Sequence, residues 1–430
     1  MAAFLAPAGP CHPCFPTAAR RVGGGRPTVR RPAAAAAGRR WRASAPSPST
    51  QPPSSSSSTL PAAAAAAAGP VPTAAGALPP PLASDEIPPW AGTTLLSRTV
   101  SALIRIPPVY ALMAGQAKAV LVRTAERRGI PWAATRDTIL GTVGATGGDG
   151  GGAALAAVTD PAVEYPDYYL RPFHAYPDGN LCWEAAAEAE PATLVVGVRT
   201  FPDQPLTPAA AFDRLRAAVY ETVMGALDGP GGLGTRHLGL VVDVGCGVGL
   251  GTLALRSYLL DVRAGTADTA SSSASPSPTL PDLQVVGVDL SPHMLAVATT
   301  RAAAPGVTYR HGRAEALPVP PGTAGLVALQ FLIHEMPAAA IAASLAGAYA
   351  ALAPGGVLCV LDNNPASLTL RRMKPTLYSL MKSTEPHSDE YYPFDVEVAA
   401  AAAGFVRVET VATDHRHRTV TAVKPGLGGL

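Results

Sequence analysis

From residue 237 onward the chain alternates short runs rich in β-branched residues with longer runs of helical period. "LGLVVDV", "LQVVGVDL", "VTYRHG", "GLVALQFL" and "GVLCVLD" read as strands, and "LGTLALRSYLL", "PHMLAVATTRAA" and "AAAIAASLAGAYAAL" as helices between them. Short strands separated by helices predict right-handed βαβ units and a parallel sheet. Two last runs, "VRVETVAT" and "HRTVTAVK", lie close enough to pair antiparallel, which brings the expected sheet to seven strands. The fold class expected is α/β, a doubly wound, mostly parallel, Rossmann-like sheet.

Ahead of residue 236 the period is helical. "TTLLSRTVSALIR" (93–105) places Leu95, Leu96, Val100, Leu103 and Ile104 on one face, with Arg98 and Arg105 off it. Two readings stay open: a helix packed on a core, which we favour, or a membrane-surface element with basic flanks. Pro107 and Pro108 stop this helix, and a second is expected from Tyr110 to Arg128. A further helix over 210–227 carries Phe212, Leu215, Ala218, Val219 and Val223 in register. The expected organisation is a leader at 1–84, a helical cap and acceptor-site segment at 85–235, and a ligand-binding domain at 236–430. That domain is interrupted at 265–282 by a Ser/Thr/Pro-rich insertion read as disordered.

Charge separates the leader from the rest. Eight of the 33 basic residues and none of the 31 acids fall in the first 84 positions, which leaves the remainder net acidic. An Arg- and Ser-rich, acid-free start is the composition of an organelle transit peptide, and its Pro content favours plastid over mitochondrion. The alternative is a biased tail with no address. The mildly acidic remainder argues against nucleic-acid binding. No window of ~20 apolar residues free of Pro, Gly and charge is present, so no membrane span is expected. Cys11 and Cys14 form a CxxC inside the leader, without a fold around it to use one.

"VVDVGCGVGLGTLAL" (241–255) carries the most specific chemistry. Gly245, Gly247 and Gly249 follow the first strand, where the chain turns sharply and a ligand can approach bare backbone at a helix N-terminus. A dinucleotide would place its diphosphate there and prefers G-x-G-x-x-G, but the third glycine of that pattern would fall at Leu250. The pattern is instead D-x-G-x-G-x-G, opened by Asp243. A carboxylate beside the loop repels a diphosphate and attracts the ammonium group of S-adenosylmethionine. Asp289, at the end of the second strand, is placed to accept hydrogen bonds from ribose hydroxyls.

"DVGCGVG", "VGVDLSPHML", "HGRAEALPVP", "LQFLIHEMP" and "ALAPGGVLCVLD" occur in that order. Together they resemble class I S-adenosylmethionine-dependent methyltransferases of the type 11 kind, which include the ubiquinone and menaquinone methyltransferases. The flanking segments resemble a cyanobacterial and plastid branch of that family with no assigned substrate. The resemblance covers about residues 237 to 362 by motif and to 424 by strand pattern. It implies S-adenosyl-L-methionine as cofactor, with Asp243, Gly245, Gly247 and Gly249 around its methionine part. It also implies Asp289 on the ribose, Leu290 and Met294 beside the adenine, and Ala314 and Glu315 at the adenine edge. Two positions depart from the pattern: Arg313 stands where the family often has Asp, and Ala324 and Gly325 stand where it often has Phe-Asp.

Methyl transfer needs an aligned acceptor and, for a weak nucleophile, a base. His334 and Glu335 follow the fourth strand and are candidates, although a histidine there also serves as a cofactor shelf or helix cap. Asp362, Asn363 and Asn364 either orient an acceptor or form the turn before Pro365. The segment 164–190 gathers Tyr168, Tyr169, Phe173, His174, Tyr176 and Trp183 in a chain only 6% aromatic, and is the expected acceptor pocket, with His174 a third catalytic candidate and Glu184 in reach. The alternative is a second small core. His387, Asp389 and Glu390 are expected to face solvent or substrate. No His, Cys or carboxylate spacing suggests a metal. The expected partner is a small-molecule methyl acceptor, flat or apolar, with peripheral membrane contact left open. Two rival readings are a non-catalytic cofactor-binding regulator and a nicotinamide-dependent oxidoreductase.

Overall fold

The computed structural model describes residues 78–83, 86–92, 94–270 and 282–426, without the side chains of 265–270. The leader up to residue 77, with Cys11 and Cys14, and positions 271–281 of the expected insertion lie outside the described residues. Seven strands form one sheet: β1 (Leu240–Val244), β2 (Gln284–Asp289), β3 (Val307–His311), β4 (Ala324–Gln330), β5 (Leu352–Asn363), β6 (Val406–Ala412) and β7 (His417–Val423). Their order is β3-β2-β1-β4-β5-β7-β6. The pairs along β3-β2-β1-β4-β5 are parallel. β7 alone runs against its two neighbours.

The central strands β1, β2, β4 and β5 are mostly apolar because both faces are covered, whereas the edge strands β3 and β6 are partly exposed. Val241, Val285, Leu326, Ala328, Val357 and Cys359 pack on one side, against Val219, Val223 and Leu227 of the helix Pro208–Asp228 and Leu255 and Leu259 of the helix Leu250–Ala270. Their sequence neighbours Val242, Val286, Val327, Leu329, Leu358 and Val360 pack on the other, against Ile341, Leu345 and Ala348 of the helix Ala338–Ala351. Strand period two thus feeds two layers at once. The helix after β1 runs to Ala270, so the first residues of the expected insertion are helical.

The chain reverses its strand order between β1 and β4, and the glycine loop leaves β1 at that switch point, where open α/β sheets bind ligands. The segment before β1 folds as helices Leu95–Ile104, Pro107–Arg127, Trp132–Thr142, Gly152–Ala156, Trp183–Thr200 and Pro208–Asp228. The second of these starts at Pro107 rather than Tyr110, because proline is accommodated in the first helical turn, whose N–H groups have no intrahelical partner. In the first, the core receives Ser97 and Val100, while Leu95, Leu96 and Leu103 remain exposed. The helix does pack on the core, as favoured, but through only part of its stripe: Val100 is buried in the core and Ile104 packs against it, while the three leucines stay outside.

Candidate active site

One cavity of about 260 Å³ opens beside the glycine loop. Its sheet side is lined by Asp243, Gly245, Gly247, Asp289, Leu290, Met294, Ala314, His334 and Glu335. Its cap side is lined by Lys118, Tyr168, Tyr169, Phe173, His174, Tyr176, Glu188 and Arg216. Most of the residues singled out in the sequence therefore meet in one space. Gly249, Glu315, Trp183 and Glu184 do not line it.

The loop glycines divide by role. All three have positive φ, at 68°, 53° and 81° for Gly245, Gly247 and Gly249. A Cβ on Gly247 would meet no atom within 4 Å, so the bare backbone there borders open space. A Cβ on Gly249 would lie 2.4 Å from the Tyr309 hydroxyl and 2.8 Å from Ala302 Cβ. Gly249 is thus required by helix and strand packing rather than by a ligand's approach.

Two carboxylates flank this loop. Asp289 Oδ2 accepts from the Gly247 N–H and Oδ1 from the Ser291 N–H, both at 2.8 Å. Burial raises its pKa, and the two donors oppose that rise. Asp243, nearly fully buried, accepts from Thr252 Oγ1 at 2.7 Å and from Gln330 Nε2 at 3.0 Å. Burial raises its carboxyl too, against the pull of Thr252, Arg216 and Gln330.

Arg216 was not singled out in the sequence. It comes from the helix Pro208–Asp228, which packs on the sheet, donates to Gln330 Oε1 at 2.6 Å and stacks its guanidinium 4.4 Å from the Phe212 ring centre. It is buried, and its Nε has no hydrogen-bond partner among the described residues. A signal existed: Arg216 lies four residues after Phe212, on the helix face that Phe212, Leu215 and Val219 mark as inward.

These groups fit a sulfonium amino-acid nucleoside. A zwitterionic amino-acid end requires one anionic and one cationic partner, and Asp243 and Arg216 border the same space. Asp289 is fixed by two backbone donors and keeps lone pairs for vicinal hydroxyls. Leu290, Met294, Gly312 and Ala314 give the apolar wall a purine needs. Glu315 turns away from it, accepting from the Tyr168 hydroxyl at 2.9 Å with Arg313 at 3.5 Å. Arg313 therefore belongs to a pairing with the cap.

Beyond the loop lies a polar cluster. His174 Nε2 stands 3.3 Å from Glu335 Oε1 and 3.3 Å from Glu385 Oε1. Glu385, fully buried, falls within "STEPHSDEYYPFD" but was not singled out there. His174 and Ala175 have φ of 52° and 71°, and Phe173 and Tyr176 exchange both backbone hydrogen bonds around them. This tight turn places two non-glycine residues in the left-handed region, a strained arrangement of the kind that gathers at functional sites. The His174 N–H donates to Thr384 O at 3.1 Å, which fastens the turn to the segment carrying Glu385.

Environment sets the protonation states. Burial pushes His174 down to about 4. Burial pushes Glu335 up to about 8, against the nearby His334. Burial lowers His334 as well, but the Asp362 carboxylate 2.8 Å away prevails and raises it to about 9. Asp362 and Asn363 are buried behind the cavity and do not line it. Asn364 Oδ1 accepts from the Ala366 N–H across Pro365, the turn geometry anticipated for it. His387 is buried and pairs with Glu390, which is exposed as expected, while Asp389 pairs with Lys382 and with Ser97 of the helix Leu95–Ile104. Among the described residues no group of three or more His, Cys, Asp or Glu converges as a metal site.

Fold and site together define a doubly wound domain that binds an amino-acid nucleoside at its switch point. Residues 259–356 match the methyltransferase domain family. A demethylmenaquinone methyltransferase of Thermus thermophilus is 33% identical over 171 residues, covering 35% of this chain and 76% of that one. One of Chlorobaculum parvum is 30% identical over 158 residues, and the match spans 62% of its length. Human N-acetylserotonin methyltransferase, solved with the cofactor, aligns at 18% identity with a TM-score of 0.37, covering 56% of this chain and 58% of that one. The chain belongs to the class I S-adenosylmethionine-dependent methyltransferases.

Proposed function

We propose that this methyltransferase acts on a small, flat and largely apolar acceptor bearing an ionisable hydroxyl, aromatic or quinone-like, within plastids. The observation that carries the acceptor reading is the shared cavity: Tyr168, Tyr169, Phe173 and Tyr176 wall one side of a space whose other side is the glycine loop. The relatives named above are demethylmenaquinone methyltransferases, which supports a quinone-like acceptor by similarity. The Arg-rich, acid-free leader supports the plastid address. Import of a fusion carrying residues 1–84 into isolated chloroplasts tests that address.

Asp243 and Arg216 hold the amino-acid end of the cofactor and Asp289 its ribose. Bound there, the cofactor supplies a methyl carbon already activated by its sulfonium. The aromatic walls exclude water and hold the acceptor ring in line with that carbon. Glu335 Oε1 takes the acceptor's proton, with His174 Nε2 beside it and neutral at physiological pH. His334 is cationic there and steadies the turn after β4 through Asp362.

Incubation of the full chain with labelled cofactor and a panel of quinols, phenols and carboxylates tests the reading. Label on the hydroxyl-bearing rings is expected. Tight cofactor binding without transfer to any acceptor would replace it with the regulatory alternative.

A further inference from the structure

The helix Leu95–Ile104 and the first turns of Pro107–Arg127 present an apolar surface that the described residues leave uncovered. Leu95 is 82% exposed, Leu103 47%, Ile106 46% and Leu112 63%. This is unusual for so amphipathic a helix. The core takes Val100, Ile104 and Ser97, which bonds to Asp389 and Lys382, and the three leucines point outward. Exposed Arg98 and Arg105 run alongside them, and no acidic residue occurs between Gly92 and Ala125.

We infer that this face docks on an anionic bilayer surface. Apolar side chains enter the boundary between headgroups and acyl chains, while arginines at the same level meet lipid phosphates. A second protein copy would have to place Arg98 and Arg105 against their own kind in a two-fold contact, whereas an anionic lipid surface complements them. The helix that carries Leu112 also carries Lys118 and Leu121, which line the cavity, so the docked face and the acceptor space share one element. This rests on the apolar acceptor proposed above for its purpose. The binding itself is measured without turnover, so the two readings fail separately.

The test is co-sedimentation of the full chain with vesicles of phosphatidylcholine, alone or mixed with phosphatidylglycerol. Binding to the mixed vesicles is expected, with weaker binding to the neutral ones. Leu103→Glu with Leu112→Glu, and separately Arg98→Gln with Arg105→Gln, should each lower the partition coefficient at least about tenfold. Both double variants should keep S-adenosylhomocysteine affinity, which shows that they fold. No sedimentation of the parent chain would overturn the inference. So would binding unchanged in both variants, which would assign it to the Arg-rich leader. Light scattering that shows a dimer dissociated by Leu103→Glu, with vesicle binding absent, would assign the face to a second copy instead.

Discussion

His174 and Glu335 meet at 3.3 Å across the cavity, one from a strained turn of the cap and the other from the turn after β4. Neither segment alone makes an acid–base site. Glu335 sits at about 8 because burial disfavours its charge. Its carboxylate fraction therefore grows as pH rises through that value, and methyl transfer to a hydroxyl should rise with it. Glu335→Gln should remove this limb and lower kcat by about 10²–10⁴-fold while leaving cofactor affinity within about threefold. A pH–rate profile with a phenolic acceptor checks it. The same shift has a stability sign. The folded state holds this proton more tightly than a free carboxyl with a value of 4.5 does, so the group favours folding fully below 4.5 and loses that contribution as pH rises toward 8. Denaturant midpoints of the Gln variant should thus fall less than the parent's over that range.

Asp289 accepts two backbone N–H groups and faces the cavity, so it clamps the loop and is the residue proposed to hold the ribose. Asp289→Ala should weaken S-adenosylhomocysteine by at least about tenfold, the loss expected for charge-assisted hydrogen bonds of roughly 1.5–3 kcal/mol. Calorimetry at fixed pH reads it directly, and unchanged affinity would remove the ribose assignment.

Arg216 is the only described arginine lining the cavity, and it supplies the positive charge beside Asp243. Arg216→Gln should cost about ten- to a hundredfold in affinity for S-adenosylhomocysteine. For an analogue without the carboxylate the loss should be severalfold at most. Equal losses for the two ligands would mean that Arg216 acts only by holding Gln330.

The sheet was legible because its central strands β1, β2, β4 and β5 are apolar runs buried on both faces, and helices of clear period follow β1, β2 and β4. The glycine loop was legible because Asp243 and the spacing of three glycines distinguish a sulfonium ligand from a diphosphate. What escaped was set by contacts distant in sequence. Glu385 reaches His174 from a loop more than two hundred residues away, and nothing in "STEPHSDEYY" separates it from His387, which pairs locally with Glu390, or from Asp389, which pairs with Lys382 and Ser97. Trp183 shared the aromatic composition of the pocket, yet its indole N–H donates to Gly150 O and its ring packs edge-on to His293, outside the cavity. In the helix Leu95–Ile104, periodicity found the stripe whose Val100 and Ile104 meet the core but not that its leucines stay outside, because the helix is turned so that Ser97 reaches Lys382 and Asp389.

Gly247 and Gly249, two residues apart with similar backbone, should respond oppositely to one added methyl. At Gly247 the φ of 53° strains alanine, but its Cβ would meet nothing within 4 Å. Gly247→Ala should then cost only about 1 kcal/mol of stability, the usual cost of a non-glycine residue in the left-handed region. It should still weaken the cofactor markedly, since the methyl enters the space beside the loop that a ligand must occupy. At Gly249 the φ of 81° brings the same strain, and the Cβ would also sit 2.4 Å from the Tyr309 hydroxyl. Gly249→Ala should add an overpacking cost of about 1–3 kcal/mol to that strain. Tyr309→Phe in the same chain removes the nearest clashing atom and should restore part of the stability lost. Thermal melts paired with ligand titration read both axes. If Gly247→Ala melts lowest while Gly249→Ala mainly loses ligand, the two roles are reversed and the loop meets its ligand one turn further along the helix.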